Sequence, residues 1–180
     1  KIELKEFVTY YIPNNKNSNF PTSKFYESWK SIFYSQNYNM KNFVHKDFEF
    51  VNLFFLDNYE SHLQCGIIDF QSAFIGFIGW DLISLLENPR INFTRDYNDK
   101  LIDYFYDNTP IIVNINTFRE QYYVLSLARL TRLLGRWRKL LSINNDDQYL
   151  DYLKITKSRT IATLNNIKNY ELRSMYEKYL

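Results

Sequence analysis

A chain of 180 residues with only 4 Gly and 4 Pro has little of the punctuation that tight turns require. A sandwich of many short strands needs such residues throughout, whereas helices need them mainly at their ends. The expected class is therefore α+β, mostly α. The length suits one domain that can bury a core without disulfides or a structural metal. Apolar residues make up 46% and aromatics 19%, which excludes a disordered chain.

Other function classes fall away on composition. The net charge is +2 with Lys and Arg spread along the chain, against the strong excess or basic tail of a protein that coats nucleic acid. One cysteine, Cys65, excludes an internal disulfide and a Cys-rich zinc site, and is read as a buried small hydrophobe. Two histidines, His45 and His62, are too few for most histidine-based metal centres. No apolar run reaches the ~18 residues of a membrane helix, and no signal-peptide pattern opens the chain. A cytoplasmic protein without membrane contact is expected.

Apolar spacing predicts a helix from Glu3 to Ile12 that stops at Pro13, then a polar loop from Asn14 to Asn19. Thr22 or Ser23 is the expected cap of a second helix carrying Phe25, Tyr26, Trp29, Ile32 and Phe33. The runs Asn52–Leu56 and Cys65–Asp69 flank a polar turn at Asp57-Asn58 and read as a hairpin, with His62 in its turn facing solvent. Helices are expected from Gly79 onward, the longest from about Asn116 to Leu141, with a last pair over Gln148–Asn169 and Tyr170–Leu180.

The chemistry concentrates in the middle. Phe43-Val44-His45-Lys46-Asp47 is followed five residues later by Asn52. An Asp and an Asn at that spacing, on a loop after a short strand, suit phosphoryl transfer: the Asp takes the acceptor hydroxyl's proton, and the Asn amide oxygen ligates Mg²⁺. Mg²⁺ keeps several waters and binds phosphates, so one amide oxygen and one carboxylate suffice. Asp69, at the end of the strand Gly66-Ile67-Ile68, is the second ligand a returning hairpin brings to that pocket.

His45-Lys46-Asp47 through Asn52, then Gly66-Ile67-Ile68-Asp69-Phe70-Gln71-Ser72-Ala73, then Trp80-Asp81-Leu82-Ile83-Ser84-Leu85-Leu86, resemble the aminoglycoside phosphotransferase and choline kinase group. The Asp-Phe-Gln-x-Ala form is most similar to the bacterial kinases of N-acetylmuramate and N-acetylglucosamine. The resemblance implies the C-terminal lobe of a protein-kinase-like fold. It implies ATP and Mg²⁺ as cofactors, Asp47 as catalytic base, and Asn52 and Asp69 as metal ligands. It also implies Asp81 as a buried carboxylate bracing the loop and His45 as a loop support. This chain departs at Glu49 and Phe50, where many members carry His and Pro, and at Phe77, where a Pro usually follows the Gly.

On this reading residues 1–40 form a leading helix pair, 41–75 the catalytic loop and metal-site hairpin, and 76–180 a helical subdomain. No G-x-G-x-x-G, no G-x-x-x-x-G-K-[ST] and no strand lysine in a V-A-I-K setting occurs, and the chain opens at Lys1. The expectation is a C-terminal piece, inactive alone, whose nucleotide lobe was trimmed, is encoded separately or was lost. Its face toward that lobe would be apolar and open to self-association. The alternative is a non-catalytic kinase-like module from a truncated or split gene.

Arg129, Arg132, Arg136, Arg138 and Lys139 form a basic stretch on the longest helix. It suits a solvated face, an anionic substrate, or a partner or nucleic acid. Arg129, Arg132 and Arg136 are the substrate-side candidates. Between Arg119 and Leu140 only Glu120 opposes the cations; if any of them face the cleft, the acceptor is neutral or anionic rather than polycationic, such as an N-acetylated hexosamine or its lactyl ether, and the resemblance leans toward the same sugar class.

Overall fold

In the computed structural model, which describes residues 2–14, 19–38, 41–91, 93–144 and 146–180, helices dominate and the strands are few and short. The chain begins with α1 (Ile2–Glu6), a π-helical turn (Phe7–Tyr11) and α2 (Ile12–Asn14) in unbroken succession. Next come α3 (Thr22–Ser35), β1 (Asn42–Val44), β2 (Leu53–Phe55), β3 (Cys65–Ile67) and β4 (Phe74–Gly76). The remainder is helical: α4 (Trp80–Leu86), α5 (Arg95–Asp107), α6 (Ile115–Asn144), α7 (Gln148–Leu164) and α8 (Tyr170–Tyr179). The architecture is α+β, mostly α, with two antiparallel strand pairs. Among the described residues no helix is long and apolar enough to cross a membrane.

Two local expectations are corrected. The first helix does not stop at Pro13. A proline ring normally collides with the carbonyl four residues back, but here the preceding turn has widened, and the Ile12 N–H donates to the Phe7 carbonyl five residues back. The π turn thus makes room for the ring, and the helix continues to Asn14. Second, neither Thr22 nor Ser23 caps α3: Pro21 holds that position, with no side-chain cap bond, and its carbonyl accepts from the Phe25 N–H at 2.9 Å. Residues 15–18 of the expected polar loop lie outside the described residues.

The chain groups into two compact units: Lys1–Asn37 with Ile112–Leu180, and Tyr38–Ile111. In the first unit α6 is the axis. It is buried on most sides from Phe118 to Trp137, as befits a helix surrounded by others. Around it Phe7, Tyr11, Phe25, Trp29 and Tyr176 form a network of stacked and edge-on rings. The Tyr176 hydroxyl accepts from Trp29 Nε1 at 3.2 Å and shares a short hydrogen bond with the Thr131 hydroxyl. Burial pushes this phenol above its ordinary pKa. Trp137 Nε1 donates to Thr156 Oγ1 at 3.0 Å, tying α6 to α7. Arg129 belongs to this core with 2% exposure, so the basic stretch is not one solvated face.

Gly135 sets the spacing of the first unit. A Cβ at this position would stand 2.2 Å from the Glu6 carbonyl carbon and 2.3 Å from the Phe7 nitrogen. Backbone cannot yield there as a flexible side chain can, so Gly135→Ala must push α6 away from the α1–π segment. A loss of ~1–3 kcal/mol is expected from such overpacking. Urea unfolding of the variant measures it, and an unchanged midpoint would mean that the unit does not depend on this close approach.

Candidate functional site

The second unit owes its arrangement to nested strand pairing. β1 pairs with β4, with Asn42 opposite Gly76 and Val44 opposite Phe74. Between them in sequence, β2 pairs with β3, with Leu53 opposite Ile67 and Phe55 opposite Cys65. Both connections between the pairs, residues 45–52 and 68–73, must therefore run between the same two ribbons. The first carries His45, Asp47 and Asn52; the second carries Asp69.

Hydrogen bonds tie the two connections together. The Ile68 N–H donates to the Asn52 carbonyl at 3.1 Å. His45 Nε2 lies 3.0 Å from the Ile68 carbonyl, which can only accept, so the ring carries its proton on Nε2. His45 is buried at 5% exposure. The Asp47 carbonyl receives two donors, the Glu49 N–H at 2.9 Å and Asn52 Nδ2 at 2.8 Å. With its nitrogen so committed, the Asn52 amide has its oxygen left for another partner.

From beneath, α4 holds the first connection. Asp81 is half-buried rather than fully buried, and its carboxylate accepts the His45 N–H at 2.8 Å and the Lys46 N–H at 2.9 Å. Ser84, three residues on and so on the same helix face, donates its hydroxyl to the Lys46 carbonyl at 2.9 Å. Lys46 has a φ of 75°, costly for a residue with a Cβ. Three bonds from α4 to its peptide groups and that of His45 fix this turn. Sequence reading assigned Ser84 no role; its spacing from Asp81 was the available signal.

Asp69 also lies in the left-handed region, at φ 70° and ψ 40°. Aspartate tolerates this better than most residues, and strained backbone of this kind concentrates at functional sites. Its side chain is exposed, and Gln71 Nε2 donates to its Oδ1 at 2.8 Å. Asp47 is half-exposed, and its carboxylate makes no hydrogen bond to the described residues. Glu49 is engaged at 2.8 Å by Arg90 Nη1, so it neither points freely to solvent nor adds an open metal ligand. Among the described residues no three His, Cys, Asp or Glu side chains cluster into a ready-made metal site. One carboxylate and one amide oxygen nevertheless fit a cation whose other ligands are phosphates and water.

Cys65 is exposed rather than buried, because β3 turns it to the open face of the hairpin. Phe55, its cross-strand partner, and Ile67 are exposed on the same face, Phe54 is exposed on the other, and the adjacent turns expose Phe50, Ile68 and Phe70. His62 is exposed in the hairpin connection. Of the substrate-side candidates, Arg129 is buried in the first unit, while Arg132 and Arg136 line a cavity of that unit.

No family model matches the chain. Over 111 residues, 62% of the chain, it is 25% identical to the N-acetylmuramate/N-acetylglucosamine kinase of Caulobacter vibrioides. The aligned stretch spans 30% of that protein's length. The chain is thus distantly similar to a sugar kinase.

Proposed function

We propose that this chain is the C-terminal, acceptor-side lobe of a small-molecule phosphotransferase that moves the γ-phosphoryl of ATP to a hydroxyl of a sugar or amino sugar. The observation that carries the reading is the convergence of residues 45–52 and 68–73, held by Asp81 and His45. The similarity to a sugar kinase supports the same chemistry.

In this reading Asp47 accepts the proton of the acceptor hydroxyl, and its open carboxylate suits that task. Asn52 Oδ1 and the Asp69 carboxylate hold Mg²⁺, which when bound neutralises charge on the nucleotide phosphates. Asn52 is oriented by its own bond to the Asp47 carbonyl, so the base and one ligand share a rigid turn. Asp81, Ser84 and His45 are positioning residues that fix the backbone from which Asp47 and Asp69 project. Rigid support is what phosphoryl transfer requires, because its catalysis is largely positioning and charge stabilisation.

The groups that cradle nucleotide phosphates would come from a further lobe, in the same chain or another. The exposed Phe50, Phe54, Phe55 and Phe70 offer apolar surface for it to cover, or for self-association in its absence. A second reading, a non-catalytic kinase-like module, is favoured by the Glu49–Arg90 pair, which occupies a stretch where the resembled family carries His and Pro.

Three outcomes are expected. The 180-residue chain alone turns over no acceptor, and steady ATP-dependent phosphorylation by it would contradict the need for a second lobe. In a protein that includes the nucleotide lobe, Asp47→Asn cuts kcat ~10²-fold or more with nucleotide affinity retained, the scale of a lost general base. Assays on N-acetylmuramate, N-acetylglucosamine, choline and aminoglycosides check both kcat and preference. Preference for the polycations would sink the sugar assignment, and no turnover on any would favour the non-catalytic module. Asp81→Asn turns an NH₂ toward one of the two backbone donors, so it should cost ~1–3 kcal/mol. Amide exchange at His45 and Lys46 should quicken; unchanged protection would remove Asp81 from its positioning role.

A further inference from the structure

Within the first unit, α1, the π-helical turn after it and one face of α6 line a cavity of about 390 Å³ that opens to solvent. Its walls include Lys5, Glu6, Arg132, Arg136 and Lys139, four cations and one carboxylate. Residues 132, 136 and 139 recur at helical spacing and so share one face of α6. Gly135, between them, lets the backbone of Glu6 and Phe7 approach α6 closely and so sets the spacing of the cavity walls.

Crowding four cations around one cavity is unfavourable unless negative charge sits among them. Glu6 supplies part of it: its carboxylate meets Arg136 Nε at 3.0 Å and Lys139 Nζ at 3.1 Å. The Lys139 ammonium also lies 5.6 Å from the centre of the Tyr10 ring. Glu6 therefore demonstrates, from within the chain, how this wall grips an oxyanion. It does not use up the wall. Arg136 meets Glu6 through Nε, its Nη groups make no bond to the described residues, and Lys5 forms no ion pair among them. The π turn that shapes the opposite wall is a rare conformation, found disproportionately at functional sites.

We propose that this cavity binds a small phosphate-bearing anion, of diphosphate or sugar-phosphate size, with Arg132, Arg136 and Lys5 as its ligands and Glu6 as a built-in competitor. Guanidinium forks match phosphate oxygens in pairs, and the volume lies in the range of small-molecule sites rather than of a nucleic-acid groove. The site is separate from Asp47 and Asp69 in residue content, and it does not depend on phosphotransfer.

The test is calorimetric titration of the 180-residue chain with sodium pyrophosphate in EDTA at low salt, so that no metal-dependent site contributes. Saturable one-to-one binding is expected. Arg132→Gln should weaken it ~10-fold, the scale of one charge-assisted bond. Glu6→Gln should tighten it about threefold by removing the competing carboxylate. Lys154→Gln, which alters an exposed lysine paired with Asp151, should leave the affinity unchanged. The opposed directions at Arg132 and Glu6 keep the test decisive even if one variant folds poorly. The proposal is overturned by no binding up to about 10 mM, by equal weakening in Lys154→Gln, or by affinities unmoved in both cavity variants. Pyrophosphate displaced by a short single-stranded RNA that binds far more tightly would also overturn it, in favour of a macromolecular partner.

Discussion

Two backbone N–H groups, those of His45 and Lys46, end on one carboxylate of α4. Much of the second unit depends on that anchorage. It holds Lys46 in a left-handed conformation that an unsupported lysine would leave, and it thereby sets where Asp47 projects. The Ser84 bond to the Lys46 carbonyl closes the same turn from the other side. A charged acceptor is well suited here, since bonds to ionised groups are roughly twice as strong as neutral ones. The nested pairing of β1 with β4 and β2 with β3 then brings Asp69 beside the anchored loop. No single strand pair is long enough to be stable alone; the turn bonds and α4 supply what the short ladders lack.

The first unit rests on a different constraint, close approach at a glycine. Gly135 admits the Glu6–Phe7 backbone against α6, and the ring network of Phe7, Phe25, Trp29 and Tyr176 packs around that contact. The basic stretch of α6 is consequently divided in its surroundings. Arg129 is enclosed by the core, whereas Arg136 and Lys139 reach Glu6 across a cavity. A stretch that reads as one motif in sequence is two environments in space.

How much was legible follows from the range of the forces involved. The helical class, the β2–β3 hairpin and the length of α6 were readable because turn residues and apolar periodicity act within a few positions of themselves. Asp47, Asn52 and Asp69 stood out because their spacing is local to two short connections. The course through Pro13 was not legible, since it depends on a π turn whose backbone register no residue announces. The exposure of Cys65 was not legible either, because a three-residue strand carries too little alternation to say which face is open.

The sequence by itself determined a mainly helical chain and the order in which its polar groups occur, since those follow from side-chain size, branching and local hydrogen bonding. Only the tertiary structure decided what those groups meet. Asp81 lies 36 residues beyond His45 yet bonds its backbone, and Glu49 finds Arg90 41 residues away. Partners so distant are chosen by which surfaces pack, and packing is a property of the whole unit rather than of any window of the chain.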